Sequence, residues 1–314
     1  MPTRDLALAL LVVAIWGLNF VGIRLGLAGM PPMLLVAVRF ALSAFPALLL
    51  VRRPQIPWPH LIFYGLFMGV GQAGLLYAGI KAGMPAGLAS IVAQSQAFFT
   101  MGLAALLLSE RIRAHNVLGA CVAACGLALV ALRFDAPVPL AGLLMVIGAA
   151  FSWGCGNVLT RYIGKVDPLS LSVWSSLVPP LPMLALSLLL EGPDAPRIAL
   201  ASLSVTTLIA TAYTAYLSTI LCYALWTRLI SAHGAGRIAP FTMLVPFFGV
   251  TSTALVFGEV ITPLTLVAGG LIISGLAINV FGGRAFSAIR SRRRFYQPDP
   301  SLPSPGSLPA DQEP

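Results

Sequence analysis

The chain has 314 residues, of which 58% are hydrophobic and 9% charged, with a formal net charge of +9. A soluble domain carries roughly 25% charged residues, so there is too little polar surface here to cover a water-soluble globule, and lipid must be the solvent. The positive balance does not mark a nucleic-acid surface, because its distribution follows membrane topology; no nucleic-acid partner is expected.

In chain order, the apolar runs predict ten helices. Their spans are 6–27, 33–51, 61–80, 87–108, 116–132, 140–160, 169–190, 204–227, 238–257 and 262–282. Each approaches the roughly 20 apolar residues that one crossing needs. The strands of a β-barrel alternate polar and apolar over about ten residues, whereas these runs are continuous and too long. Arg4 precedes the first run as it would in a secretory signal. That run carries Trp16, Asn19 and Phe20, however, and no A-x-A-like site follows, so it reads as a retained first helix. No myristoylation or prenylation signature is present.

The runs repeat. Trp16-Gly17 and Arg24 return 137 positions later as Trp153-Gly154 and Arg161. Glu110 and Glu259, 149 positions apart, close the fourth run of each half. Extra residues around Glu191–Ala201 absorb the change of offset. With the N-terminus in the cytoplasm, 14 Lys and Arg lie inside: Arg4, Arg52, Arg53, Arg111, Arg113, Arg161, Lys165, Arg228, Arg237, Arg284, Arg290, Arg292, Arg293 and Arg294. Three lie outside, Lys81, Arg133 and Arg197, while Arg24 and Arg39 fall within helices. The positive-inside rule therefore puts both termini in the cytoplasm. Five helices per half is an odd number, so the halves, 1–133 and 138–284, run in opposite directions. Such an all-α membrane architecture of inverted repeats places a substrate near the midplane between them. Residues 285–314, basic and then rich in Pro and Ser, are expected to be a disordered cytoplasmic tail.

Polar residues inside spans carry the candidate chemistry. Arg39 has two readings: a cation for a substrate carboxylate, or a structural arginine bonded to backbone or snorkelling outward. Trp16, Asn19, Gln72, Tyr77, Gln94, Trp153, Asn157, Tyr213 and Tyr223 are the uncharged candidates for substrate binding. Gln94 and Gln96, two apart on a helix, are expected not to share a face, so one at most should meet a cavity. Pro46, Pro179, Pro180, Pro182, Pro240 and Pro246 mark bends in the second, seventh and ninth helices, and Gly65-x-x-x-Gly69 marks a close crossing. The four cysteines and three histidines are scattered, which argues against a metal site, and no cofactor is expected. No Asp or Glu lies deep in a span, so a buried-carboxylate proton relay is unsupported. No Walker motif and no catalytic cluster of an intramembrane enzyme appears.

Trp16-Gly17-Leu18-Asn19-Phe20, Arg39-Phe40 and Glu110 resemble the EamA family of the drug/metabolite transporter superfamily, over residues 5–282. Met84-Pro85-Ala86-Gly87-Leu88-Ala89-Ser90, Gln94-Ser95-Gln96-Ala97-Phe98-Phe99-Thr100, Phe151-Ser152-Trp153-Gly154-Cys155-Gly156-Asn157 and Ile278-Asn279-Val280-Phe281-Gly282 are similar to its bacterial O-acetylserine/cysteine exporter subgroup. That resemblance implies an inner-membrane exporter of small amino-acid metabolites such as cysteine or O-acetylserine, not an enzyme. The alternative on the same fold is an exporter of larger or aromatic amino acids or drugs, to which Trp16, Trp153 and Tyr213 would be suited. A membrane scaffold and an integral-membrane enzyme are the remote alternatives.

Overall fold

The computed structural model describes residues 2–131, 139–234 and 238–295, and among these it is all-helical, with no strand. In order these are α1 (Thr3–Gly29), α2 (Pro32–Leu49), α3 (Trp58–Lys81), α4 (Ala86–Leu108), α5 (Ala114–Ala131), α6 (Leu140–Ile163), α7 (Pro168–Ser175), α8 (Pro180–Glu191), α9 (Ala195–Ala201), α10 (Val205–His233), α11 (Phe241–Phe257) and α12 (Pro263–Phe295). Seven helices are long and apolar enough to cross a membrane, and the bent pair α7–α8, broken by 42° at Pro179-Pro180, makes an eighth if counted as one span. Ala114–Val130 and Phe241–Phe257 are shorter apolar helices. Large apolar side chains are turned outward on many of them. Leu49, Leu106, Leu189 and Leu255 are each about four-fifths exposed, as side chains facing hydrocarbon must be.

The proline signals land where the helices break. The α-helical part of α2 stops at Ala44, and after Pro46 a 3₁₀ turn follows at Ala47–Leu49. The 3₁₀ turn Ala239–Leu244 carries Pro240, and Pro246 starts the regular part of α11. Two differences from expectation stand out. The extra residues of the second half form a short helix of their own, α9. The backbone of α12 continues to Phe295, past the expected end at 282, while 296–314, most of the expected tail, lies outside the described residues.

The halves grip each other crosswise. α1 packs on α11, and α6 packs on α4. At the crossings a Cβ on Gly17 would run into Phe248, and one on Gly154 would run into Phe99 and the Thr100 amide. Gly17 and Gly154 are 137 apart, and Phe99 and Phe248 are 149 apart, so both sequence offsets recur in the contacts. Exchange of partners between like positions is what a two-fold relation between halves produces. The close approach explains why glycine follows tryptophan in both copies: any side chain there would hold the helices apart. Gly154→Val is expected to destabilise by about 1–3 kcal/mol through overpacking. Gly270→Ala, where a Cβ meets nothing within 4 Å, serves as the control. Thermal unfolding in detergent checks the pair, and equal midpoints for the two variants would contradict the packing argument.

Candidate functional site

Four helices leave α-geometry where they meet one cavity. α3 is wound in wide π-type turns over Leu66–Gly74, and α10 over Tyr213–Leu221. α4 tightens to 3₁₀ over Ala93–Ser95, and the start of α11 does so within Ala239–Leu244. These are corresponding helices of the two halves. Irregular backbone at membrane depth is tolerated where it is buried in protein or lines a cavity. Here each stretch contributes to one cavity of about 300 Å³: Met68 and Gln72, Ser218, Ala93 and Gln94, and Thr242.

Of the ten sequence-predicted site residues, Trp16, Asn19, Arg39, Gln72, Gln94, Trp153 and Tyr223 line this cavity. Arg39 donates from Nη1 to the Tyr77 hydroxyl at 2.8 Å and from Nη2 to Thr219 Oγ1 at 3.3 Å. Its guanidinium carbon lies 5.4 Å from the Phe40 ring centre and 5.7 Å from that of Tyr77. Neither partner is anionic. Among the described residues the carboxylates that form ion pairs go to Arg24, Arg161 and His233, and none to Arg39. Arg39 Nε and Asn19 Oδ1 are buried without a hydrogen-bond partner. A cation and an amide with spare bonding capacity, in a cavity walled by Trp, Phe, Met and Leu, make a site that lacks an anion. The opposite wall is aromatic. Trp16 donates from Nε1 to the Ser218 carbonyl at 2.9 Å and stands edge-on to Trp226 and Tyr223, at centroid distances of 5.0 and 5.9 Å.

Three predicted residues are placed elsewhere. Tyr77 is fully buried behind Arg39 and orients it. Tyr213 donates to the Ile15 carbonyl at 2.7 Å, tying α10 to α1. Asn157 lies one turn beyond Trp153 and donates to Gln96 Oε1 at 2.7 Å and to Thr100 Oγ1 at 3.1 Å. The expectation that one at most of Gln94 and Gln96 meets the cavity is corrected, since both line it. The 3₁₀ turn at Ala93–Ser95 changes the angular step on which that expectation rested. Sequence reasoning also missed Ser218 and Trp226. Trp226 follows Tyr223 at i+3, a helical same-face spacing that marks it in retrospect.

The duplicated charges pair crosswise too. Arg24 is ion-paired with Glu259, and Arg161 Nη1 lies 2.8 Å from Glu110 Oε2. Both carboxylates follow a left-handed residue that ends the helix, Ser109 or Gly258. Their surroundings differ. Glu259 is only 16% exposed and also accepts from the Ala86 and Gly87 amides at the start of α4, each at 3.1 Å, while Arg24 covers the Phe257 ring at 4.2 Å. At the same end Glu191 accepts from the Met33 amide at 2.7 Å and the Ser187 hydroxyl at 2.6 Å, and Lys81 donates to the Leu27 carbonyl at 3.1 Å. Glu110 and Arg161 are each half exposed. They border a second cavity of about 410 Å³ that Gln96, Thr100 and Asn157 also line. Both crosswise pairs are formed; the Glu259 pair is packed and amide-bonded, and the Glu110 pair is half exposed beside a cavity. Among the described residues no group of three or more His, Cys, Asp or Glu is placed to hold a metal.

Apolar helices in two crosswise-related copies, around a cavity walled by irregular helix, have the architecture of a multi-pass membrane transporter. The EamA-like transporter family matches residues 4–132 and 140–281, and the chain belongs to that family. A protein of Salmonella typhimurium described as a "probable amino-acid metabolite efflux pump" is 45% identical over 290 residues, covering 90% of this chain and 97% of the relative. An Escherichia coli protein of the same description is 40% identical over 296 residues, covering 92% and 99%. A more distant relative, from Streptantibioticus cattleyicolor and described as a "probable terminal-alkyne amino-acid exporter", is 26% identical over 280 residues, covering 85% and 90%. A solved structure with 18% identity superposes with a TM-score of 0.58 over 95% of this chain and 99% of its own, and shares the fold.

Proposed function

We propose that this transporter exports small zwitterionic amino-acid metabolites, of the size of cysteine or O-acetylserine, from the cytoplasm across the bacterial inner membrane. Ten crossings in two inverted five-helix repeats, 1–133 and 138–284, with both termini cytoplasmic, provide the frame. In that frame the Glu259 end is outer and the Glu110 end inner.

The observation that carries this reading is Arg39, a cation in the central cavity with no carboxylate of its own. A substrate carboxylate completes it. Asn19, Gln72 and Gln94 offer amide oxygens to an ammonium group without the cost of a second buried charge. Trp16, Trp153 and Tyr223 close over the remainder. Tyr77 acts on the substrate only through Arg39, and Tyr213 only through α1. A cavity of about 300 Å³ is at the small end of the roughly 300–1,000 Å³ typical of small-molecule sites, which favours a small amino acid over a bulky one. The Salmonella typhimurium and Escherichia coli relatives are each described as a "probable amino-acid metabolite efflux pump", in agreement with this class. Rocking of the halves about the crossings at Gly17 and Gly154 would then release the substrate outside.

The test is efflux of labelled cysteine and O-acetylserine from proteoliposomes, beside bulky and aromatic amino acids and protein-free vesicles. Selective flux of the small pair is expected. Flux of bulky compounds alone would overturn the substrate assignment and favour the aromatic walls as the specificity element.

A further inference from the structure

The second cavity, at the Glu110 end, carries an asymmetry that the two-fold relation does not supply. Along one face of α6 run Trp153, Asn157 and Arg161, spaced by four. Trp153 lines the central cavity, Asn157 and Arg161 line the second, and Gln96 lines both. The like positions of the first copy, 137 residues earlier, are Trp16, Phe20 and Arg24. Likewise Gln96 and Thr100 correspond, 149 residues on, to Val245 and Gly249. The Glu110 end is thus furnished with an asparagine, a glutamine and a threonine where the Glu259 end has phenylalanine, valine and glycine. Phe20 and Val245 are buried, and Gly249 is packed against Ser90 and Phe20. No exchange of the halves between two states turns Phe20 and Val245 into amides. The polarity is written into one end of the chain and is not the by-product of which end stands open.

Amides in this membrane-embedded cavity carry a desolvation cost, and a role offsets it. Asn157, Gln96 and Thr100 already form a connected network, with Thr100 Oγ1 also donating to the Gln96 carbonyl at 2.7 Å. At its rim stand Glu110 and two arginines, Arg111 and Arg161; Glu110 and Arg161 are ion-paired at 2.8 Å and each is half exposed. A half-exposed ion pair is worth at most about 1 kcal/mol, so a ligand bearing both charges can replace each partner at little cost. An α-amino acid is such a ligand.

We propose that the cavity bounded by Glu110, Arg161, Asn157, Gln96 and Thr100 is a second binding subsite, which takes a zwitterionic amino acid from the cytoplasm, ammonium toward Glu110 and carboxylate toward Arg161, before it passes Gln96 to the central cavity. This deepens the exporter reading and rests on it.

The experiment uses the full chain in inside-out vesicles, with uptake of labelled cysteine in competition with two analogues. Cysteine methyl ester keeps the ammonium and lacks the carboxylate, and N-acetylcysteine keeps the carboxylate and lacks the ammonium. Glu110→Gln is expected to weaken inhibition by the ester about fivefold, the size a half-exposed ion pair supports, and to leave inhibition by N-acetylcysteine as it was. Arg161→Gln is expected to do the reverse. Both variants shifting both competitors by the same factor, or neither shifting either, would overturn the subsite and leave the pair a structural or gating contact. Asn157→Leu keeps the volume and removes the amide. It is expected to raise the apparent KM for cysteine severalfold, and an unchanged KM would overturn the subsite even if a charge variant misfolds. Wild-type vesicles that transport no amino acid of the panel would overturn the exporter reading, and the subsite with it.

Discussion

Arg39→Ala is expected to lower export of amino acids on the order of 30- to 150-fold while the protein still inserts and folds. The figure follows from removing a charged hydrogen-bond partner of a desolvated carboxylate, about 2–3 kcal/mol. Folding is expected to survive because the hydrogen-bond partners of the Arg39 side chain within the protein are two neutral hydroxyls, Tyr77 and Thr219. Thr219 Oγ1 keeps its own bond to the Thr214 carbonyl at 3.0 Å. Arg39→Lys should be intermediate, since a lysine returns the charge without the planar fork that engages Tyr77 and a carboxylate together. Tyr77→Phe should cost less than either, because it loosens the guanidinium without removing it. Initial rates over a concentration series, normalised to folded protein by size-exclusion chromatography, check the order. A folded Arg39→Ala variant with wild-type kinetics would remove Arg39 from the binding site.

The second large effect is expected at Glu259. Its carboxylate holds Arg24 and two amides at the start of α4, and so joins α1, α4 and α11 at the end assigned as outer. Glu259→Gln keeps the shape and at most one of the amide contacts, and removes the charge. With Arg24 41% exposed, solvent screens part of the loss, which leaves about 1–2 kcal/mol, or on the order of a tenfold shift toward opening at that end. The reporter is a single cysteine at Ser218, on the wall of the central cavity, in a background with Cys121, Cys125, Cys155 and Cys222 changed to alanine. Labelling by a membrane-impermeant thiol reagent from outside should rise about tenfold in Glu259→Gln. In Glu110→Gln it should not rise, because the Glu110–Arg161 pair is half exposed and lies at the opposite end of the bundle. Equal labelling in both variants would contradict the assignment of Glu259 as the closing contact.

The frame of this protein was legible because two kinds of signal are local. The apolar runs and the bends at Pro46, Pro179 and Pro240 act through hydropathy and φ restriction, and each sits where a helix ends or breaks. The duplicated Trp-Gly and the two glutamates predicted a relation between halves, and the partners emerged only in three dimensions. Gly17 meets Phe248, and Arg24 meets Glu259, residues more than two hundred positions away that no local pattern couples. The site was half legible. Buried amides and Arg39 advertise themselves by their cost in lipid. Whether Asn157 belongs to the central cavity or to the second depends on one helical turn of depth. Whether Gln94 and Gln96 share a cavity depends on a three-residue 3₁₀ turn without proline or glycine. The wide turn at Tyr213–Leu221 likewise has no such residue to announce it. There the Thr219 side-chain hydroxyl donates to the Thr214 carbonyl, a contact that no local sequence pattern marks.

The most direct measurement is an experimental structure of the protein saturated with O-acetylserine. The account predicts ligand density in the central cavity, with the carboxylate within hydrogen-bond distance of Arg39 and the remainder between Trp16, Trp153 and Tyr223. Ligand bound elsewhere in the bundle with Arg39 still joined only to Tyr77 and Thr219 would contradict it.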